Sequence, residues 1–216
     1  VQAVLLAYGV GSDLDNLGAL LGVRRLATPD GGSESDTEFR SRIRIALDAT
    51  AVGLTGNGYR TIALQAAPAV RSVGLVKHGG GKIDVILLGR TLDGSVDDAS
   101  VQAVRDRLNA DDGGQLTDII TVRSVTPLPY DVIANVVIPP GPSMALVMAA
   151  AEASIEKATV DLQVIGGAVT TDALIAAGRV PPISKFTLVS PAADIVAAPD
   201  AAPWRRSTTI NVTVAA

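Results

Sequence analysis

The apolar residues of this chain change their period near residue 68, and that change limits what each part can form. Up to Ala67 they recur at three- and four-residue spacing, the spacing of one helix face. From Val70 onward they come in short β-branched runs broken by glycine, which is strand spacing. Leu14, Leu17, Leu20 and Leu21 set out a first helix, with Ser12 and Asp15 as its capping box and Gly22 as its stop. Thr28-Pro29-Asp30-Gly31-Gly32 reads as a loop. Ser35 with Glu38 is a second capping box, opening a helix whose stripe is Phe39, Ile43, Ala46 and Leu47. Glu38 is placed to pair with Arg42 one turn on. A third helix is predicted from about Gly58 to Ala67, ending ahead of Pro68.

Val70, Ser72 to Val76 and Ile83 to Leu88 then read as two strands joined at Lys77-His78-Gly79-Gly80-Gly81-Lys82, a hairpin signature. Ser95 with Asp98 is expected to cap a helix carrying Val101, Val104 and Leu108, stopped by Asp111-Asp112-Gly113-Gly114. Ile119 to Val125 is its return strand. A related pattern follows: a strand from Asp131 to Ile138, a helix from Ser143 to about Ala158, and a short helix capped by Thr171 and ending near Gly178. Ile183 to Val189 and Ser207 to Val214 are the last strands. The fold class is therefore α+β. A helical segment over 1–67 precedes two small α/β sandwich units, 68–126 and 127–216, roughly ferredoxin-like with mostly antiparallel sheets. Thr126-Pro127-Leu128-Pro129 is the expected hinge between the two units.

Composition bounds the function. The net charge of −4 is too mild for a nucleic-acid binder, which would show a basic stripe. With no cysteine and one histidine, no disulfide framework, thiol nucleophile or histidine-rich metal site can be built. The chain holds 33 Ala and 26 Val but only 3% aromatic residues, so its core is thin and neighbours are expected to contribute stability. A GC-rich coding sequence would raise Ala, Val, Arg and Gly as well. No signal peptide is visible, and the longest uncharged run, between Asp131 and Glu152, is broken by Pro139-Pro140-Gly141-Pro142.

No catalytic constellation, cofactor site or metal site emerges. His78 sits among glycines at the predicted hairpin tip and reads as a solvated turn residue. Gly79-Gly80-Gly81-Lys82 lacks the spacing of a phosphate loop, and a strand follows where a helix is required. Asp13/Asp15, Asp93/Asp97/Asp98 and Asp111/Asp112 fall at helix ends, where carboxylates cap backbone N–H groups, and none has a calcium-loop register.

The basic residues are more informative, since 14 of the 18 are arginine, a residue enriched at protein interfaces where lysine is depleted. Arg24, Arg25, Arg40, Arg42 and Arg44 fall within one short stretch, with Arg40 and Arg44 on one helix face. Arg205-Arg206 follows the only tryptophan, Trp204. Arg24, Arg25, Arg40, Arg44, Trp204 and Arg205 are the candidate partner contacts, with Arg40 and Arg44 suited to an acidic partner. Trp204 is either a core plug under the last sheet or an interface anchor.

Several segments together resemble one family. Gly11-Ser12-Asp13-Leu14-Asp15-Asn16-Leu17 followed by Leu21-Gly22-Val23-Arg24-Arg25 is similar to the "LDNL…GV.R" segment of baseplate J-like proteins. Ser35-Asp36-Thr37-Glu38-Phe39-Arg40-Ser41-Arg42-Ile43 resembles the "D..FR.RI" stretch that follows it in that family. Gly58-Tyr59-Arg60, Pro68-Ala69-Val70 and Leu116-Thr117-Asp118 look like its next landmarks. Ser190-Pro191-Ala192-Ala193-Asp194-Ile195 ahead of a tryptophan and a terminal strand looks like its C-terminal signature.

The resemblance implies a non-enzymatic wedge subunit of a contractile phage tail or a related injection machine. It also implies further copies of the chain and other wedge proteins as ring partners, a place in the virion tail baseplate assembled in the host cytoplasm, and an N-terminal region ahead of Val1. The mild charge and the broken apolar run argue against a nucleic-acid or membrane partner. Two other classes stay open from the residues alone: a regulatory module binding a small molecule between paired units, and a hydrolase built on two facing carboxylates.

Overall fold

A computed structural model describes residues 6–28, 31–49, 55–110, 118–141 and 143–215. The predicted loop residues Pro29 and Asp30, the helix stop at Asp111-Asp112-Gly113-Gly114, the landmark Leu116-Thr117, the turn residue Pro142 and the Leu47 side chain lie outside the described residues. The chain forms two compact units, one of residues 1–90 with 96–124 and one of residues 91–95 with 125–216. Mixed helix and sheet make the class α+β, as the change of apolar period predicts.

The first unit opens with helices α1 (Gly11–Ala19), α2 (Asp36–Ala49) and α3 (Gly56–Ala66). Leu14, Val23, Phe39, Ile43 and Ala46 close a small buried cluster between α1 and α2. The α2 capping box forms as predicted. The Ser35 hydroxyl accepts from the Glu38 N–H at 3.3 Å while the Glu38 carboxylate reaches back to the Ser35 N–H. The one predicted for α1 does not. That helix starts two residues earlier, after an extended Val10, so Ser12 falls inside its first turn. The Gly11 N–H is met instead by the Asp36 carboxylate at 3.1 Å. Leu20, placed on the predicted stripe, is exposed, because α1 ends before it.

Strands β1 (Val70–Gly79) and β2 (Lys82–Gly89) form an antiparallel hairpin, and α4 (Asp98–Leu108) carries the chain over to β3 (Ile119–Ser124). β3 runs parallel to β2, giving the order β1-β2-β3, and a parallel neighbour needs such a crossover. Val73, Val85, Leu87, Val104, Leu108 and Val122 pack this sheet against α3 and α4. In β2 the neighbours Ile86 and Leu88 are buried too, the continuous apolar run of a central strand. The N-cap of α4 is Asp97, whose carboxylate accepts from the Ser100 N–H at 2.9 Å. Ser95, predicted for that role, is held by Asp93 in the preceding turn.

The second unit contains β4 (Thr126–Ile138), α5 (Met144–Leu162), β5 (Ala168–Val169), α6 (Thr171–Gly178), β6 (Lys185–Ser190), β7 (Ile195–Val196) and β8 (Ala201–Val214). β4 lies between antiparallel β6 and parallel β8, and α5 and α6 cover one face through Val147, Ala151, Ile155 and Leu174. α6 is capped by Thr170 rather than Thr171, whose own N–H and hydroxyl bind Asp194.

The predicted hinge is strand. Thr126 to Tyr130 pairs residue by residue with Ala201 to Arg205. Pairing with β6 begins only at Ile133, so among the described residues β4 has one neighbour over this stretch. The Thr126 N–H faces that neighbour, donating to Asp200 at 3.0 Å. The alternate residues Pro127 and Pro129 therefore turn their missing N–H groups to the unpaired side, where proline costs no ladder bond.

Candidate interaction surface

The arginines of the α1–α2 region mostly turn inward. Arg25 donates to the Glu34 carbonyl at 2.7 Å, to Asp15 at 3.0 Å and to Asp36 at 2.8 Å. Its guanidinium lies 4.7 Å over the Phe39 ring, a cation–π arrangement that fixes the plane of both groups. The Gly11 N–H and Arg25 together hold the Asp36 carboxyl below the usual range. Arg40 donates to the carbonyls of Leu6 and Gly9 at 2.9 and 2.7 Å, clasping the chain ahead of α1. Arg44, one turn further along the same helix, is exposed, as is Arg24. The pair Arg40 and Arg44 thus does not form one free basic face.

Arg42 and Glu34 form an ion pair that the sequence reading missed. Both are buried, at 6% and 2% exposure, and the Glu34 carboxylate also accepts from the Leu26 N–H at 3.2 Å. Arg42 was predicted to meet Glu38, but the Glu34 carboxylate comes closer from the loop before α2. Glu38 turns to Arg90 at 2.7 Å. Burial raises the Glu38 carboxyl, yet Arg90 and Ser35 outweigh it and leave the group lowered. These two pairs stand in the wall of a 310 Å³ cavity between α2, α3 and β1.

His78 is not a turn residue. It lies near the end of β1, where its Nε2 meets Asp84 on β2 at 3.0 Å, and Arg123 of β3 reaches the same carboxylate oxygen at 3.2 Å. His78 is the main cause of the lowered Asp84 carboxyl, with Arg123 adding to it. The chain turns instead through Gly79, Gly80 and Gly81, all at positive φ. Among the described residues no group of three or more His, Cys, Asp or Glu could hold a metal ion. Among them, too, no helix is long and apolar enough to cross a membrane.

On the second unit, Trp204 is half-buried rather than a core plug. With Leu92, Val160, Gln163 and Arg205 it lines a 170 Å³ surface cavity at the end of α5. Leu92 is 85% exposed, yet its backbone is fixed by a 3.0 Å bond from the Gln163 amide. Arg205 donates to the hydroxyls of Thr159 and Thr208 at 3.1 and 2.8 Å and lies 3.6 Å from Glu156. Arg206 pairs with Asp131, which also accepts from the Ser207 hydroxyl, and the two hold its carboxyl down to about 2. The structure thus brings together Trp204 and Arg205 of the six predicted contacts, on a different unit from Arg24, Arg25, Arg40 and Arg44. Leu92 and Val160 carried no sequence signal, since nothing local marks an apolar residue as exposed.

Residues 1–30 match the family described as the Baseplate J-like N-terminal domain. Over 205 residues the chain is 29% identical to "Baseplate protein J" of Escherichia phage P2, which covers 90% of this chain and 68% of that protein. A chain in the cryo-EM structure of the anti-feeding prophage baseplate, 6-fold symmetrised, shares the fold with a TM-score of 0.51 and 17% identity. The alignment covers 81% of this chain but 43% of that one, so this chain spans less than half the length of the solved relative. The resemblance read from the motifs is borne out.

Proposed function

We propose that this chain, a relative of the baseplate J-like proteins, is a structural subunit of a contractile-tail baseplate wedge. It acts through protein–protein contacts and performs no catalysis of its own. The observation that carries this reading is the alignment with the phage P2 protein across 90% of the chain. A likeness of that extent includes both units, so it concerns the architecture rather than one shared motif. The partners proposed are other wedge proteins and further copies of this chain, arranged in a ring and assembled in the host cytoplasm before joining the tail. Arg24, Arg44 and the rim of the Trp204 cavity are the contacts available to them.

The test is immunogold labelling of purified tail particles from the source organism, using antibody raised to this chain. Gold is expected at the baseplate end alone. Labelling along the sheath, or particles that carry no label while the chain stays in the soluble fraction, would overturn the reading.

A further inference from the structure

The sheet of the second unit runs β6-β4-β8, so among the described residues β8 is an edge strand with β4 on one side only. The Ala215 N–H donates to the Ile138 carbonyl of β4 at 2.8 Å. In a paired strand, successive residues turn their main-chain groups to opposite sides, so Thr209, Asn211 and Thr213 face β4 as Ala215 does. Thr208, Ile210, Val212 and Val214 turn their N–H and C=O groups to the open side. Among the described residues no hydrogen bond meets them there.

An open edge is a template for any extended chain, and folds blunt it with charge, proline, bulges or brevity. The other open edges of the two larger sheets carry such devices. β1 has register shifts near both ends and bears Arg71, Lys77 and His78. β3 and β6 are six residues each, with Arg123 on one and Lys185 on the other. The bare stretch of β4 holds Pro127 and Pro129. β8 from Ser207 to Val214 has no charge, proline or glycine, and its one register shift falls at Arg206, before this stretch. Its Thr, Ile and Val residues are strong strand formers. This edge is left fit for pairing while its counterparts are closed to it.

Area and the helix above the edge decide the occupant. A paired edge over this stretch is about 27 Å long and about 10 Å deep, roughly 270 Å² a side. A standard stable interface buries about 800 Å² a side. The edge alone therefore cannot hold a second folded body, and it suits an extended arm anchored in its own subunit. Sterics exclude a second copy pairing through its own β8. A closed twofold pair of edge strands is antiparallel and puts both copies of α5 on one face. α5 packs on β8 more closely than on β4 or β6. The two helices would then stand about one strand spacing apart, about 5 Å, where packed helices need about 8–10 Å.

The pattern of burial states the chemistry of the arm. Ile210 is buried on the α5 side, with Thr208 and Val212 half-buried and Val214 49% exposed beside it. Thr209, Asn211 and Thr213 are exposed on the opposite face. We propose that β8 is extended by an uncharged arm of a different baseplate subunit, with aliphatic residues on the α5 side alternating with Ser, Thr or Asn on the open face. Such an arm is held by main-chain bonds, with side chains setting register. The bordering charges are Arg205 with Glu156, Arg206 with Asp131, and Glu152 one turn along α5. None lies within Ser207 to Val214, so the pairing does not depend on their sum. The proposal rests on the wedge reading above, and its test separates the two.

Hydrogen exchange of the full chain, isolated and in assembled tail particles, reads the pairing directly. The outward amides of Thr208, Ile210 and Val212 should exchange freely in the isolated chain and slow by roughly a hundredfold or more in particles, while Thr209, Asn211 and Thr213 are protected in both. A photo-crosslinking amino acid at Asn211 or Thr213 should capture an extended segment of another baseplate subunit. Val212→Pro removes an outward N–H without removing a ladder bond to β4. Val214→Lys adds a charge of the kind the other edges carry. Each should lower incorporation into particles by roughly tenfold or more, with the urea midpoint of the purified chain within about 0.5 M of the parent. Unchanged exchange of the outward amides in particles, crosslinks to a second copy or to a helix, or normal incorporation of either variant would overturn this inference and leave the wedge reading standing. Absence of the parent chain from particles would overturn both.

Discussion

Replacing Arg42 with methionine leaves the Glu34 carboxylate in a buried site with one remaining donor, the Leu26 N–H at 3.2 Å. The Glu34 side chain is 1% exposed, so the carboxylate loses its charged partner in a largely desolvated site. Removing one partner of a buried ion pair costs about 3–5 kcal/mol, because the surviving charge stays desolvated. Arg42 also lies 5.8 Å from the Phe39 ring, adding a smaller loss of about 0.5–1 kcal/mol. Against a whole-domain stability of roughly 5–15 kcal/mol, this is a large fraction.

Urea unfolding measures it. Far-UV circular dichroism follows both units, while fluorescence follows Trp204, the chain's only tryptophan, in the second unit. With a urea slope of about 2 kcal/mol per M, the first unit's midpoint should fall by about 2 M. The double variant Glu34→Gln with Arg42→Met removes both charges and should recover most of that loss. A single variant that moves the midpoint by less than about 0.5 M, or a double variant no better than the single, would refute the reasoning.

At Gly18 an added Cβ would lie 2.6 Å from the Phe39 ring and 2.8 Å from the Val23 carbonyl, so Gly18→Ala should cost about 1–3 kcal/mol in thermal unfolding. An unchanged melting temperature would show that α1 and α2 do not pack this closely. Ser35→Ala removes the hydroxyl that accepts from the Glu38 N–H and should cost about 0.5–2 kcal/mol. Urea midpoints with Ser35→Thr as the conservative control check that figure. The Asp131 carboxyl should titrate at about 2 by NMR, rising toward 3.8 in Arg206→Ala. Because its folded value is depressed, its contribution to stability is present above 3.8 and is lost as pH falls toward about 2. An unshifted midpoint in the parent chain would rule out the pairing with Arg206 and Ser207.

Local patterns in the sequence foretold the elements far better than their partners. The Ser35/Glu38 capping box could be read because both members lie within one turn and answer each other. The one expected at Ser12 and Asp15 fails for a reason no local pattern shows. Asp15 is drawn to Arg25, and the Gly11 N–H is met by Asp36 from a separate helix. Long-range competition also moved Glu38 to Arg90, 52 residues away. The proline-marked hinge was misread because prolines usually punctuate. Among the described residues β4 has no partner on the side they face, and that depends on where β6 begins. β8 is longer than its β-branched core, since Ala201 to Arg205 is held extended by pairing with β4. Trp204 and Arg205 were legible as contact candidates by type. Leu92 and Leu146 were not, since exposure is a property of the folded chain.

Arginine and alanine, the two compositional signals, both needed the structure to acquire meaning. Arg25, Arg40 and Arg42 spend their donors on carboxylates and carbonyls within their own unit, so their abundance reflects internal ties as much as binding. That use suits a chain poor in aromatics, because the planar guanidinium covers Phe39 and satisfies several buried acceptors with one side chain. Alanine divides in the same way. Ala63, Ala134, Ala151 and Ala202 are fully buried, where a small side chain lets elements approach closely. Ala149, Ala150 and Ala153 are exposed on α5, where the same property makes a smooth track. Composition counts both kinds equally. What separates them is Leu146, Val160 and the Trp204 cavity beside the outer set, residues whose exposure is costly unless something covers them. The stability that neighbours are expected to lend a thin core is therefore to be sought along α5, and less among the arginines.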